Sequence, residues 1–368
     1  MNIFLDLSSQ IRNEISESGP MSVYDFMKKS LQTAQFGYYS GKSNILGTKG
    51  DFITAPEISQ LFGEIIGIWC LNMWQLNGSP SQFNLIELGP GKGTLMSDIL
   101  RSTKNAPEFH KAINICLVEI SHELCKLQKE KIKHSRIEWF DEYSNVPKEG
   151  FSILVANEFL DALPINQYSK RKGQWRANKV DITKDNQHLF INHFDATTSI
   201  KGYLSNKYPD APEDAVIEIQ DDANILTKEI SQDIVKYGGA ALFVDYGYLE
   251  TNRKNYISTI QAIKGHRYSP IFNEIGNADI SSHINFTSLH DVAKLHGANV
   301  YGPQTQGEFL KNMHIDIRKD MLLARASDNQ KLDIESGYQR LIDPKQMGDL
   351  FKVIAISNSK FEHGELGF

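Results

Sequence analysis

The residues with the clearest chemical content are Glu87-Leu88-Gly89-Pro90-Gly91-Lys92-Gly93-Thr94. An apolar run, Asn84 to Leu88, precedes the glycines, and Leu95, Met96, Ile99 and Leu100 follow at helical spacing. Glycines between a strand and a helix let the backbone turn sharply and come close to a ligand. The first-turn amides of the helix point at the same spot. A dinucleotide-binding turn requires G-x-G-x-x-G or its alanine variant. Here the third glycine comes one residue early, and Thr94 occupies the dinucleotide position.

The spacing G-x-G-x-G, with Glu87 directly before it, is the form usual in S-adenosylmethionine-dependent methyltransferases. The expected ligand is therefore S-adenosylmethionine, its methionine moiety lying over Gly89, Gly91 and Gly93. A second apolar run, Ile113 to Glu119, ends in a carboxylate placed to accept both ribose hydroxyls. Plainer roles compete with these: a tight turn that holds nothing, and a solvated acid at a strand end.

Ligands of open α/β sheets bind outside the carboxyl ends of the strands, and three further ends are polar. FSILVA runs into Asn157, Glu158 and Asp161; ALFV runs into Asp245; the Ile137 to Phe140 run ends at Asp141. Acids after a buried strand are costly to place in a dry site without a partner. A guanidinium would be such a partner, held bidentately. Methyl transfer is an in-line displacement, with the nucleophile brought to about 3–3.5 Å of the methyl carbon. A carboxylate beside the nucleophile would orient it and receive its proton. Glu158 is the first candidate for that role, Asp161 the second and Asp245 the third. A cap or turn is the plainer role for Asp161.

Other patterns fail. Gly37 to Ser43 is one residue short of a P-loop, and Ser121-His122-Glu123-Leu124-Cys125 lacks the second histidine of a zinc helix. The 11 histidines form no ligand-spaced cluster, so no metal is expected. The 3 cysteines form no CxxC pair and read as buried thiols in a reducing compartment. A net charge of −6 argues against nucleic acid as a partner. The most apolar stretch, Leu61 to Leu76, is interrupted by Glu64, Asn72 and Gln75 and reads as a core helix rather than a membrane span. The opening residues lack the composition of a signal or transit peptide, which leads to the expectation of a cytoplasmic, bacterial protein.

Strands alternating with helices predict a doubly wound, mostly parallel α/β sheet. Residues 1–80 read as a helical N-terminal segment with a lid loop at 37–59. The sheet core occupies 81–165 and 236–368, with a loop insertion at 249–286. Residues 166–235, period-two at their start, read as an inserted α+β subdomain with antiparallel ribbons. The apolar face of Ile58 to Trp74 packs either inside the protomer or between two copies in a homodimer.

Gly50 to Gly67, Leu85 to Arg101, Ala156 to Tyr168 and Ala241 to Gly247 together resemble the MidA-like family of protein arginine methyltransferases, assembly factors for respiratory complex I. Gln261 to Phe286 and Gly302 to Leu310 are similar to it as well, so the resemblance spans nearly the whole chain in order. It implies a class I (Rossmann-like) methyltransferase core, S-adenosylmethionine as donor, and an arginine of a complex I subunit as acceptor. It also implies that Gly50 to Ser59, including Thr54 and Pro56, folds over the donor and the substrate. Gly89, Gly91 and Gly93 would hold the donor, and Asn157, Glu158 and Asp161 would form the mouth of the site. Two other readings remain: a methyltransferase fold used as an assembly module without catalysis, and a small-molecule methyltransferase.

Overall fold

The computed structural model describes residues 6–33, 36–41, 54–252, 255–360 and 365–368. Most of the expected lid loop, residues 42–53, lies outside the described residues.

Seven strands make the body of the main sheet: β1 (Phe83–Leu88), β2 (Ile113–Val118), β3 (Ile137–Phe140), β4 (Ser152–Asn157), β5 (Gly239–Tyr248), β6 (Asn299–Thr305) and β7 (Phe351–Ser357). Their spatial order is 6-7-5-4-1-2-3. β1 to β5 are parallel, and β7 inserts antiparallel between β5 and β6. This is a doubly wound class I methyltransferase fold. The strand order reverses between β1 and β4, so the crevice beyond their carboxyl ends is the topological switch point where such sheets bind ligands. Register aligns those ends: Leu88 pairs with both Val118 and Ala156, and Asn157 pairs with Val244. Gly89, Glu119, Glu158 and Asp245 thus emerge in one row.

Alternate residues of each strand face opposite sides. Leu85, Ile115, Ile153 and Leu242 pack under α1 (Gln60–Leu76) and α2 (Thr94–Ser102). Ile86, Cys116, Leu154 and Phe243 pack under α3 (Asp221–Tyr237) and α4 (Phe286–Leu295). α1 is buried almost all round, through Leu61, Phe62, Ile65, Ile66, Trp69 and Met73. Each such side chain contributes about 1.5–3 kcal/mol. Its apolar face is therefore spent inside the protomer. Glycines allow the close crossing with α2: a Cβ on Gly63 would lie 2.5 Å from Asp98 Cβ, and one on Gly67 would lie 2.1 Å from Ser102 Oγ. The buried Glu64 of α1 is paired with Arg101 at 3.2 Å and Arg318 at 2.7 Å. Among the described residues no helix is long and apolar enough to cross a membrane.

Asn166–Arg171, Gln174–Ile182 and Leu189–Asp195 form antiparallel ribbons, joined by Val216–Ile219 on one edge and by Met21–Ser22 on another. The N-terminal helices Leu7–Ser18 and Val23–Gln32 share a core with this sheet. The stretch Leu249 to Phe286, read as irregular, contains a three-stranded sheet: Gln261–Lys264, Arg267–Ser269 and Asp279–Ser281. These strands are 4, 3 and 3 residues long, too short to display a period.

Candidate active site

The turn after β1 holds Gly89, Gly91 and Gly93 at φ of +63°, +53° and +74°, all in the left-handed region. At Gly89 space is limiting as well, because an added Cβ would lie 2.7 Å from the Phe159 ring. Gln128 braces the turn. Its Nε2 donates to the Gly91 carbonyl at 2.7 Å and to Glu119 Oε2 at 3.2 Å, while its Oε1 accepts from Trp139 Nε1 at 2.8 Å. Glu119 Oε1 accepts the Ser121 amide at 2.8 Å. This fully buried glutamine was not singled out from sequence. Its spacing from Leu124, one helical turn earlier and also buried, was the available signal.

Glu87 is buried, and its Oε2 has no hydrogen-bond partner. Burial, followed by the nearby Glu119, pushes its carboxyl up to about 8. Burial also pushes Glu119 up to about 7. An orphaned buried acceptor facing a cavity calls for a donor-bearing, cationic ligand. A methionine ammonium supplies one, and ribose hydroxyls suit Glu119.

At the other end of the cavity stand the residues after β4. Glu158 adopts φ +48°, a left-handed conformation that costs a non-glycine residue about 1–3 kcal/mol and recurs at functional sites. Its amide donates to the Val244 carbonyl at 2.9 Å. Its Oε1 accepts from the Ala55 amide at 2.8 Å and from Asn157 Nδ2 at 3.2 Å. The first contact docks the short helix Ala55–Ile58, with Thr54 at its N-cap position and Pro56 in its first turn, against the catalytic candidate. Burial raises Glu158 to about 7, against the pull of the Ala55 amide. Asp161 is buried, with its carboxylate against the Tyr246 hydroxyl, and burial holds it above the usual carboxylate range.

Asp245 has a different task. Its Oδ2 accepts the amides of Phe159, Leu160 and Asp161 at 3.2, 3.0 and 3.2 Å, and its Oδ1 accepts that of Tyr246 at 2.9 Å. It shapes the loop that carries Glu158 and Asp161 and does not line the cavity. A carboxylate so surrounded by amides is a positioning group rather than a proton acceptor for substrate.

A cavity of about 390 Å³ joins both ends. Its walls include Glu87, Gly89, Gly91, Glu119 and Asp141 on one side, and Asn157, Glu158 and Asp161 on the other, and Thr54 and Pro56 line it as well. Gly93 lies behind the wall as the N-cap of α2. Tyr39 and Asp279 also line the cavity and were not singled out from sequence. Asp279 lies within Gln261 to Phe286, a segment similar to the family, but nothing local distinguishes its side chain from a turn acid.

Residues 65–304 match a family described as "Putative S-adenosyl-L-methionine-dependent methyltransferase". The chain belongs to this family. It is 34% identical over 380 residues to the zebrafish (Danio rerio) protein named "Protein arginine methyltransferase NDUFAF7, mitochondrial", covering 95% of this chain and 86% of that one. The human (Homo sapiens) protein of the same name is 35% identical over 369 residues, covering 93% and 81%. A crystal structure from Burkholderia thailandensis, bound to S-adenosyl-homocysteine, superposes with a TM-score of 0.85 at 27% identity, over 95% of this chain and 91% of that one. The methyltransferase uses S-adenosylmethionine as its donor, as the glycine spacing and Glu119 suggested.

The expected cytoplasmic, bacterial location is overturned, since the zebrafish and human relatives, matched along nearly the whole chain at 34% and 35% identity, are named as mitochondrial. The expectation rested on the composition of the opening residues. Leu7–Ser18 is in fact a helix of the folded body, with Leu7, Ile11 and Ile15 buried, so its composition reports on packing and not on targeting.

Proposed function

We propose that this methyltransferase modifies arginine in a protein, with Glu158 as the group that orients the guanidinium and takes its proton. The carrying observation is the strained, cavity-facing Glu158, set with Asn157 and Asp161 across one cavity from the glycine turn. The names of the full-length relatives support arginine in a protein as the acceptor.

The donor supplies a methyl group made electrophilic by its sulfonium. Glu87 and Glu119 hold its ammonium and ribose ends, and Gly89 and Gly91 give it room. Glu158 accepts a guanidinium N–H and localises the positive charge away from the attacking nitrogen. As that nitrogen gains a methyl group, one N–H proton passes to Glu158, and the C–S electron pair stays on sulfur. A carboxyl raised to about 7 can accept that proton and return it to water near neutral pH.

The target we propose is a subunit of respiratory complex I, which rests on the family resemblance. We further assign the chemistry to residues 81–165 and 236–368, and contact with the protein substrate to the inserted segment 166–235 and the N-terminal segment. The test is mass spectrometry of methylarginine in cells with and without the gene, together with transfer of labelled methyl to purified complex I subunits. Loss of a defined methylarginine and its restoration in vitro are expected. Label arriving on lysine, or only on small molecules, would remove the arginine reading.

A further inference from the structure

Every buried side chain of the Asn157–Asp161 segment that faces the acceptor end of the cavity presents a hydrogen-bond acceptor. Asn157 is buried and its Oδ1 has no partner. Its orientation is forced, because turning the amide over would set the carbonyl against Glu158, to which Nδ2 now donates at 3.2 Å. An acceptor left open in this way calls for an N–H from the ligand. Asp279 reaches the same cavity from another element, more than a hundred residues away in sequence. The Tyr39 hydroxyl, also lining the cavity, donates to Asp279 Oδ1 at 2.9 Å.

The strand that carries Asp279 is tied to the Glu158 loop. The Ser282 amide donates to the Asp161 carbonyl at 3.0 Å, and the Tyr246 and Ser281 hydroxyls are hydrogen-bonded to each other. Asp279 is 7% exposed, so its carboxylate is not a solvated surface acid.

We propose that Asp279, oriented by Tyr39, is a second substrate-binding carboxylate that grips the acceptor guanidinium together with Asn157 and Glu158, and so selects arginine over lysine. This deepens the arginine reading given above and rests on it. The selectivity follows from shape. A guanidinium carries five N–H donors in a rigid plane and can meet acceptors on separate elements at once, whereas an ammonium is a compact point charge. Glu158 takes the proton, while Asp279 holds the group in place.

The test uses the full-length protein with labelled S-adenosylmethionine and an arginine peptide library, alongside the same library with lysine replacing arginine. Asp279→Asn is expected to raise the acceptor KM at least tenfold, to change kcat less than threefold, and to leave S-adenosylhomocysteine affinity within twofold. Tyr39→Phe is expected to raise the acceptor KM two- to fivefold, and the double variant to match Asp279→Asn alone. Binding of N-acetyl-arginine amide to the S-adenosylhomocysteine complex, followed by NMR, should weaken in parallel. An unchanged acceptor KM in a normally folded Asp279→Asn protein would overturn the proposal, as would a loss of donor affinity instead. If Asp279→Asn does not fold, Tyr39→Phe decides alone, an unchanged acceptor KM again overturning it. Wild-type activity on the lysine library only would defeat the arginine reading itself, a result distinct from either.

Discussion

The two ends of the cavity are built in different ways. The end we assign to the donor comes from one βα turn and the end of the neighbouring strand: Glu87, the glycines to Gly93, and Glu119. Its strain is backbone strain, carried by glycines that adopt left-handed conformations at little cost. The end we assign to the acceptor gathers Tyr39, the Asn157–Asp161 loop and Asp279 from three separate segments. Its strain falls on a glutamate, and Asp245 holds that loop through three of its backbone amides. A site made of local turns can be read from spacing. A site made of distant acids cannot, because its chemistry is set by which of them share a cavity.

If the two ends are separable, Glu158→Gln should cost kcat about a thousandfold while leaving S-adenosylhomocysteine affinity within twofold. Calorimetry and single-turnover kinetics on one preparation would show it, and a parallel fall in affinity would join the two ends. Asp245→Ala should act through the fold. Removing the acceptor of four amides costs about 3 kcal/mol. The thermal midpoint should fall clearly, whereas a loss of kcat at an unchanged midpoint would restore a catalytic role. Gly91→Val places a β-branched residue at φ +53° and should weaken donor binding about tenfold, with acceptor KM unchanged at saturating donor. Gly89→Ala presses on Phe159, next to Glu158, and should disturb both ends, so comparing the two variants measures how tightly the ends are joined.

The smallest effect is in the pH dependence. Glu87, Glu119 and Glu158 have folded-state values raised to about 8, 7 and 7. Acids raised on folding favour the fold below the ordinary carboxylate range, and that contribution is lost as pH rises through 7 to 8. The midpoint of the ligand-free protein should therefore decline between pH 5 and 8. A cationic ligand favours ionised Glu87, so S-adenosylmethionine should bind several-fold more tightly as pH rises from 6 to 8. Binding at pH 7 should release protons, measurable as a heat that varies with buffer ionisation enthalpy. Affinity falling with pH over that range would remove Glu87 from the donor site.

Continuous apolar runs placed the buried strands of the parallel sheet to within a residue or two, because a strand covered on both faces has no room for polar side chains. The Leu249 to Phe286 region was misread because its strands are short and carry polar residues. Asp245 was recognised as a polar strand end, but its bonds to the Phe159, Leu160 and Asp161 amides were not legible, since a carboxylate's hydrogen bonds to distant amides leave no local mark. Gln128 and Tyr39 escaped for the same reason: one binds a carbonyl 37 residues away and the other a carboxylate 240 residues away.

By itself, then, the amino-acid order determined the sheet class, the glycine turn and the identity of the methyl donor, because periodicity and glycine spacing are properties of adjacent residues. Tertiary structure alone decided which acids face the cavity and which are consumed by backbone amides. Burial and partnership set a carboxylate's charge and reach, and both depend on segments that meet only when the chain is folded.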